Sequence, residues 1–152
     1  MRKLLTFSII VLILSACTNK NVYTDFYSLQ NAEWDKDSVC RFHVEIQDTL
    51  TPHYFSVVLR HSSNYAYRNL WLFVNITAPS GNTTYKRLDC ELADDVGKWV
   101  GKGISIYKFE KSFDEPIVFS PSGVYSFSIR HGMRDDVLKN VSEVGIKLTS
   151  KK

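Results

Sequence analysis

The chain has 152 residues, of which 44% are hydrophobic and 23% charged, with a formal net charge of +3. That length and balance allow one folded domain with a core, and exclude a multidomain enzyme, a coiled coil and a disordered chain. Three cysteines are too few for a dense disulfide scaffold.

Met1-Arg2-Lys3 is a positively charged start, and Leu4–Leu14 is a largely apolar run of 11 residues that includes Thr6 and Ser8. A bilayer-spanning helix needs about 20 apolar residues, so the run reads as the hydrophobic region of a secretory signal. Leu14-Ser15-Ala16-Cys17 then resembles a bacterial lipobox. In that chemistry residues 1–16 are removed as signal peptide, the Cys17 thiol takes a diacylglyceryl group, and the new amine is acylated by a fatty acid such as palmitate. Two or three acyl chains anchor stably where one would be marginal. Losing Arg2 and Lys3 lowers the formal net charge from +3 to +1. A nearly neutral domain without a basic stripe argues against nucleic-acid binding.

Residues 17–37 read as the lipidated cysteine, a short polar tether and an N-terminal segment with Tyr23, Phe26, Tyr27 and Trp34 but no clear period. From 38 to 152 strand signals recur. Cys40-Phe42-Val44-Ile46 alternate with Arg41, His43 and Glu45, Phe55-Val57-Leu59 with Ser56, Val58 and Arg60, and Leu70-Leu72-Val74-Ile76 with Trp71, Phe73, Asn75 and Thr77; Tyr125-Phe127-Ile129 and Val144-Ile146-Leu148 repeat the period of two. Pro79-Ser80-Gly81 and Pro121-Ser122-Gly123 mark turns. Residues 83–92 read as a return strand and 99–109 as another extended stretch. Met133–Asn140 is the single candidate helical turn. The pattern predicts an all-β fold, an antiparallel β-sandwich of jelly-roll or immunoglobulin-like type, with a closed barrel as the alternative. Cys40 and Cys90 fall in the apolar phase. They read as two separate buried thiols, with one disulfide across the core as the alternative.

No G-x-S-x-G, H-E-x-x-H, phosphate-binding loop or C-x-x-C is present in the sequence, so no catalytic or metal-binding residues are assigned. His43, His53, His61 and His131 are scattered and read as surface residues. Asp94-Asp95 and Asp135-Asp136 read as turn caps or solvated pairs. The covalent lipid on Cys17 is the one non-protein group expected. The aromatics carry the binding candidates. Trp71 and Phe73 project opposite to Leu70, Leu72 and Val74; on an open sheet face they form an aromatic platform, and under the N-terminal segment or a loop they are core. Tyr65, Tyr67 and Trp99 are the other candidates.

Tyr65-Ala66-Tyr67-Arg68-Asn69-Leu70-Trp71-Leu72 with Pro79-Ser80-Gly81, then Leu92-Ala93-Asp94-Asp95-Val96-Gly97-Lys98-Trp99-Val100-Gly101-Lys102-Gly103, stand in this order along the chain. Gly123-Val124-Tyr125-Ser126-Phe127, Met133-Arg134 with Leu138, and Val144-Gly145-Ile146 follow. With the lipobox, these segments resemble the gliding-motility lipoprotein GldH family of Bacteroidetes, from Cys17 nearly to the end. Lys86-Arg87-Leu88-Asp89-Cys90 departs from the Asp-Thr-Leu stretch common in similar chains. The resemblance implies a noncatalytic cell-envelope lipoprotein associated with gliding motility and the linked secretion machinery, acting through protein contacts. A membrane held through the lipid and envelope or motility proteins are its expected partners. Thr18 after Cys17 places it at the outer membrane, facing the periplasm. The alternative is a glycan-binding sandwich that stacks sugars on Trp71, Trp99 or the tyrosines.

Overall fold

The computed structural model describes residues 20–150; the signal peptide and Cys17 lie outside the described residues. The strands are β1 (Lys20–Ser28), β2 (Glu33–Asp35), β3 (Cys40–Ile46), β4 (His53–Ser62), β5 (Asn69–Thr77), β6 (Thr83–Glu91), β7 (Lys102–Gly103), β8 (Ile106–Ser112), β9 (Gly123–His131), β10 (Val137–Lys139) and β11 (Val141–Ser150). They form a five-stranded sheet in the order β1-β11-β4-β8-β7, a four-stranded sheet in the order β3-β9-β5-β6, and the small pair β2-β10. All pairings are antiparallel.

Of the two sandwich types expected, the topology is the jelly roll. An immunoglobulin-like sheet pairs its first two strands directly. Here β1 and β3 lie in opposite sheets, and β1 pairs with the last strand, β11. Successive long strands cross between the sheets, leaving only β5 and β6 as a hairpin within one of them. That hairpin turns at Ala78–Asn82, where Gly81 adopts φ +88° and donates its N–H to the Ala78 carbonyl.

Alternation explains the core. Cys40, Phe42, Val44 and Ile46 are buried while Arg41, His43 and Glu45 are exposed. The same phase buries Leu70, Leu72, Val74 and Ile76 of β5 and Tyr125, Phe127 and Ile129 of β9. From the other sheet, Phe55 stacks on Phe127 with ring centroids 5.1 Å apart and packs against Phe113 at 4.7 Å. Fully burying each such side chain contributes about 1.5–3 kcal/mol.

Several expectations change. The sandwich already includes Lys20, ahead of the expected start at residue 38, because β1 is an edge strand and β2 also pairs with a later segment. The N-terminal segment therefore belongs to the domain. Residues 133–140 form no helical turn; β10 pairs with β2, setting the buried Leu138 opposite the buried Trp34.

Cys40 and Cys90 are both buried and free, so the disulfide alternative falls. They sit on the two opposite edge strands of one sheet, four residues apart in row along β5. That geometry separates them by roughly 20 Å, far beyond the Cα spacing of about 4.4–6.8 Å a disulfide spans. Burial pushes both thiols up to about 12.

His53, His61 and His131 are buried, contrary to the surface reading, and only His43 is exposed. His53 and His61 share the inward phase of Phe55, Val57 and Leu59, and His131 continues that of Ile129.

One outward packing feature ties β1 to the sheet. Phe26 stands opposite Gly145 on the outer face, where a Cβ at Gly145 would meet the Phe26 ring at 2.5 Å. The Arg60 guanidinium covers the same ring at 4.8 Å and pairs with Glu143.

Candidate functional site

The strands give the sandwich two ends. Lys20, Ser150 and His53 share a row at one end, near the 46–53, 77–83 and 112–123 connections. The far end gathers residues 62–69, 92–106 and 131–141. Three of the segments singled out in the sequence, 65–72, 92–103 and 133–138, therefore converge at that far end.

The five aromatic candidates divide between two places. Tyr65 is buried; its hydroxyl donates to the Asn69 carbonyl at 3.1 Å, and burial raises its pKa well above the ordinary phenol value. Trp99 packs edge-on to His61 at 4.7 Å and lies 6.0 Å from the Tyr107 ring and 6.4 Å from that of Tyr65. Tyr67 donates to Asp135 at 2.8 Å, which raises its pKa. These three residues act first as a clamp on the far-end loop, and the platform reading does not apply to Tyr65.

The clamp shapes what the loop presents. The Asp94 carboxylate accepts from the N–H groups of Val96 and Lys98 at 3.1 and 2.8 Å, and Arg68 pairs with Asp95 at 2.7 Å. Leu92 and Ala93 donate to the Arg68 carbonyl, and Val100 donates back to Leu92. Gly103 then adopts φ +155°, and a Cβ there would strike the Ile106 carbonyl, so only glycine fits this tight reversal. Above a tied-down base, Val96, Val100 and Ile104 stand 88%, 59% and 90% exposed. The acidic pairs are structural: Asp94 holds this turn, Asp135 holds Tyr67, and Asp136 pairs with Lys36.

Trp71 and Phe73 lie on the outer face of the four-stranded sheet, both half-buried. The face is open to solvent, but their rings are partly covered. Arg87 lies over Trp71 at 4.8 Å, Arg130 lies over Phe73 at 5.5 Å, and Tyr85 stacks on Phe73 at 5.9 Å. Gly132 closes on Phe73 as well, since a Cβ there would lie 2.8 Å from the ring. A shallow cavity of about 430 Å³, lined by Tyr67, Trp71 and residues 132–135, separates the two groups. Among the described residues no cluster of His, Cys, Asp and Glu could hold a metal ion.

The buried histidines set a pH response. His61 Nε2 lacks a hydrogen-bond partner. Burial lowers the pKa of both residues; the Ser62 backbone opposes this at His61, and the Trp34 backbone, Asp35 and Asp135 oppose it at His131. The unfolded chain then binds more protons below its own value of about 6.5, so stability is retained above that pH and falls as pH drops toward the folded values. Urea melts at pH 7.5 and 5.0 are expected to show the loss, with a slope of at most about 1.4 kcal/mol per pH unit for each site. His131→Phe is expected to flatten the dependence, and equal midpoints at the two pH values would contradict it.

The fold and its surface thus define a jelly-roll sandwich with a clamped apolar loop at one end and an arginine-bearing sheet face. The GldH lipoprotein family matches residues 21–148, and the chain belongs to that family. It is 30% identical over 146 residues to the gliding motility lipoprotein GldH homolog of Christiangramia forsetii, covering 91% of this chain and 89% of the relative. It is also 30% identical over 148 residues to gliding motility lipoprotein GldH of Flavobacterium johnsoniae, covering 92% and 91%. Among solved structures, the PRD1 vertex protein P5 is similar with a TM-score of 0.45 and 11% identity, over 91% of this chain and all of that one. Tripeptidyl peptidase 2 is similar with a TM-score of 0.48 and 10% identity, over 86% of this chain and 10% of its own. Neither likeness bears on function.

Proposed function

We propose that this chain is a noncatalytic accessory lipoprotein of motility and linked secretion machinery, held by lipid on Cys17 at the outer membrane with its domain in the periplasm. Its sandwich works as a rigid spacer that offers one end to a protein partner. The observation that carries the reading is the placing of the two ends. Cys17 precedes Lys20 by three residues, a reach of about 11 Å at most, so the anchor holds the Lys20 end against the bilayer. The far end points away, and there Val96, Val100 and Ile104 project from a loop fixed from beneath by Trp99. Small exposed apolar tips on a pre-ordered loop lose little entropy on docking. The names of the two relatives supply the motility context, and the near-neutral domain suits a contact led by shape.

The test is extraction of the lipidated protein in mild detergent, crosslinking, and identification of what copurifies. One envelope protein at near-stoichiometric level is expected. A Val96→Asp, Ile104→Asp double variant is expected to lose it while keeping the wild-type melting temperature, since both side chains are almost fully exposed. A solitary wild-type protein, or a double variant that still holds its partner, contradicts the reading.

A further inference from the structure

The outer face of the four-stranded sheet carries a second, chemically different surface. Arg130, Phe73 and Arg87 share one row across β9, β5 and β6, and Arg41, Ser128, Asn75 and Tyr85 share the next outward row. All three arginines are exposed, and among the described residues none has a carboxylate within salt-bridge distance. Of the acids on this face, Asp89 accepts from the Asn69 amide at 2.9 Å. These two rows thus hold three guanidinium groups and no carboxylate, while Glu45 on β3 and Asp89 and Glu91 on β6 stand further along the same face.

The rings beneath give those charges a direction. A guanidinium lying over an aromatic ring uses its face, as Arg87 does on Trp71 and Arg130 on Phe73. Its N–H edge is left for a ligand, and that planar fork matches a carboxylate bidentately. Arg130 and Arg87 stand two strands apart, about 10 Å, comparable with two linked pyranose rings. Between and beside them lie amide and hydroxyl groups, Asn75, Ser126 and Ser128, and the 55%-exposed Tyr85 offers an aromatic surface at the β6 edge. The core of a protein–protein interface is apolar with its charges depleted; these rows hold Arg130 on the inner strand β9, with Arg41 and Arg87 on the two edge strands, and contain no aliphatic side chain. Flatness, hydroxyls and repeated cations fit a chain of acidic sugars instead.

We propose that this sheet face binds an acidic polysaccharide, its uronate carboxylates held by Arg41, Arg87 and Arg130 and a sugar ring packed against Tyr85. The site lies on the side of the sandwich and not on the far-end loop, so polysaccharide and protein partner can be held together, and loss of one leaves the other.

The experiment is affinity electrophoresis of the full lipidated chain in detergent with polygalacturonate, dextran and poly-L-glutamate in the gel, at low and physiological salt. Retardation by polygalacturonate that weakens with salt is expected, with none by dextran and at least tenfold weaker retardation by poly-L-glutamate. The Arg87→Gln, Arg130→Gln double variant is expected to bind polygalacturonate at least tenfold more weakly. Arg41→Gln, which covers neither ring, is expected to lose several-fold with an unchanged melting temperature, and so answers the question even if the double variant misfolds. Equal retardation by poly-L-glutamate would overturn the proposal in favour of an acidic protein segment. Absence of retardation at low salt, or arginine variants that bind as wild type, would overturn it outright.

Discussion

Trp34→Ala is expected to lower the unfolding free energy by about 3–5 kcal/mol, the range for removing a large aromatic from a packed core. Trp34 is fully buried, although its strand is only three residues long. Opposite it on β10 stands Leu138, and the His131 ring meets it edge-on at 5.4 Å. Its Nε1 also donates to the Ser38 carbonyl at 3.0 Å, bracing the turn into β3. Truncation therefore opens a cavity, frees a carbonyl and removes the contact that gives β2 and β10 a reason to pair. Domains of this size hold about 5–15 kcal/mol in total, so the variant loses a large share. Denaturant melts followed by far-UV circular dichroism read the change as a lowered midpoint at unchanged slope. Trp34→Phe, which keeps most of the volume, is expected to lose less. A fall below about 1 kcal/mol in the alanine variant would show that this end is loosely packed.

Gly145→Val is expected to cost about 1–3 kcal/mol or more by overpacking, and to act mainly on β1. A Cβ at Gly145 would come within 2.5 Å of the Phe26 ring and 2.8 Å of the Asp25 carbonyl oxygen. The ring can swing aside only by leaving Arg60, and the carbonyl belongs to the β1 backbone. Relief comes from shifting β1, which among the described residues has no strand on its other side. Faster amide exchange in residues 20–28 than elsewhere in the sheet is the expected signature. In a double-mutant cycle, Phe26→Ala is expected to make Gly145→Ala less harmful than it is alone, a coupling that independent sites would not show.

The reasons parts of this fold were legible, and others not, lie in particular strands. In β3, β5 and β9 one face meets the core and the other meets water, and their period of two is plain in Cys40–Ile46, Asn69–Thr77 and Gly123–His131. The same phase places His53, His61 and His131 indoors, whereas residue type alone points a histidine to the surface. Strand β1 shows no alternation because it covers little of the core; Asn21, Thr24 and Asp25 are exposed, and only Tyr23 and Phe26 are half-buried. Its partner is the last strand, a pairing local sequence cannot announce. Strand β10 is three residues long, too short to tell a strand from a turn. Trp71 and Phe73 fall opposite Leu70, Leu72 and Val74 as the alternation predicts, but the arginines that cover them come from β6 and β9, and only the register brings them there. The clustering of Tyr65, Trp99, His61 and Tyr107 likewise needs the topology.

The pairing of the first strand with the last also decides how the domain carries mechanical load. Strand β1 runs from the Lys20 end to Ser28 near the far end, with partners from Ser150 to Glu143 along its length. A pull on Lys20 against a grip at the far-end loop is parallel to that strand. The hydrogen bonds of the β1–β11 ladder then resist together, in shear, and do not open one after another as in a zipper. Tension entering at the N-terminus passes directly into β11, which lies between β1 and the central strand β4, so the strand that reads most weakly in the sequence is the tendon of the domain.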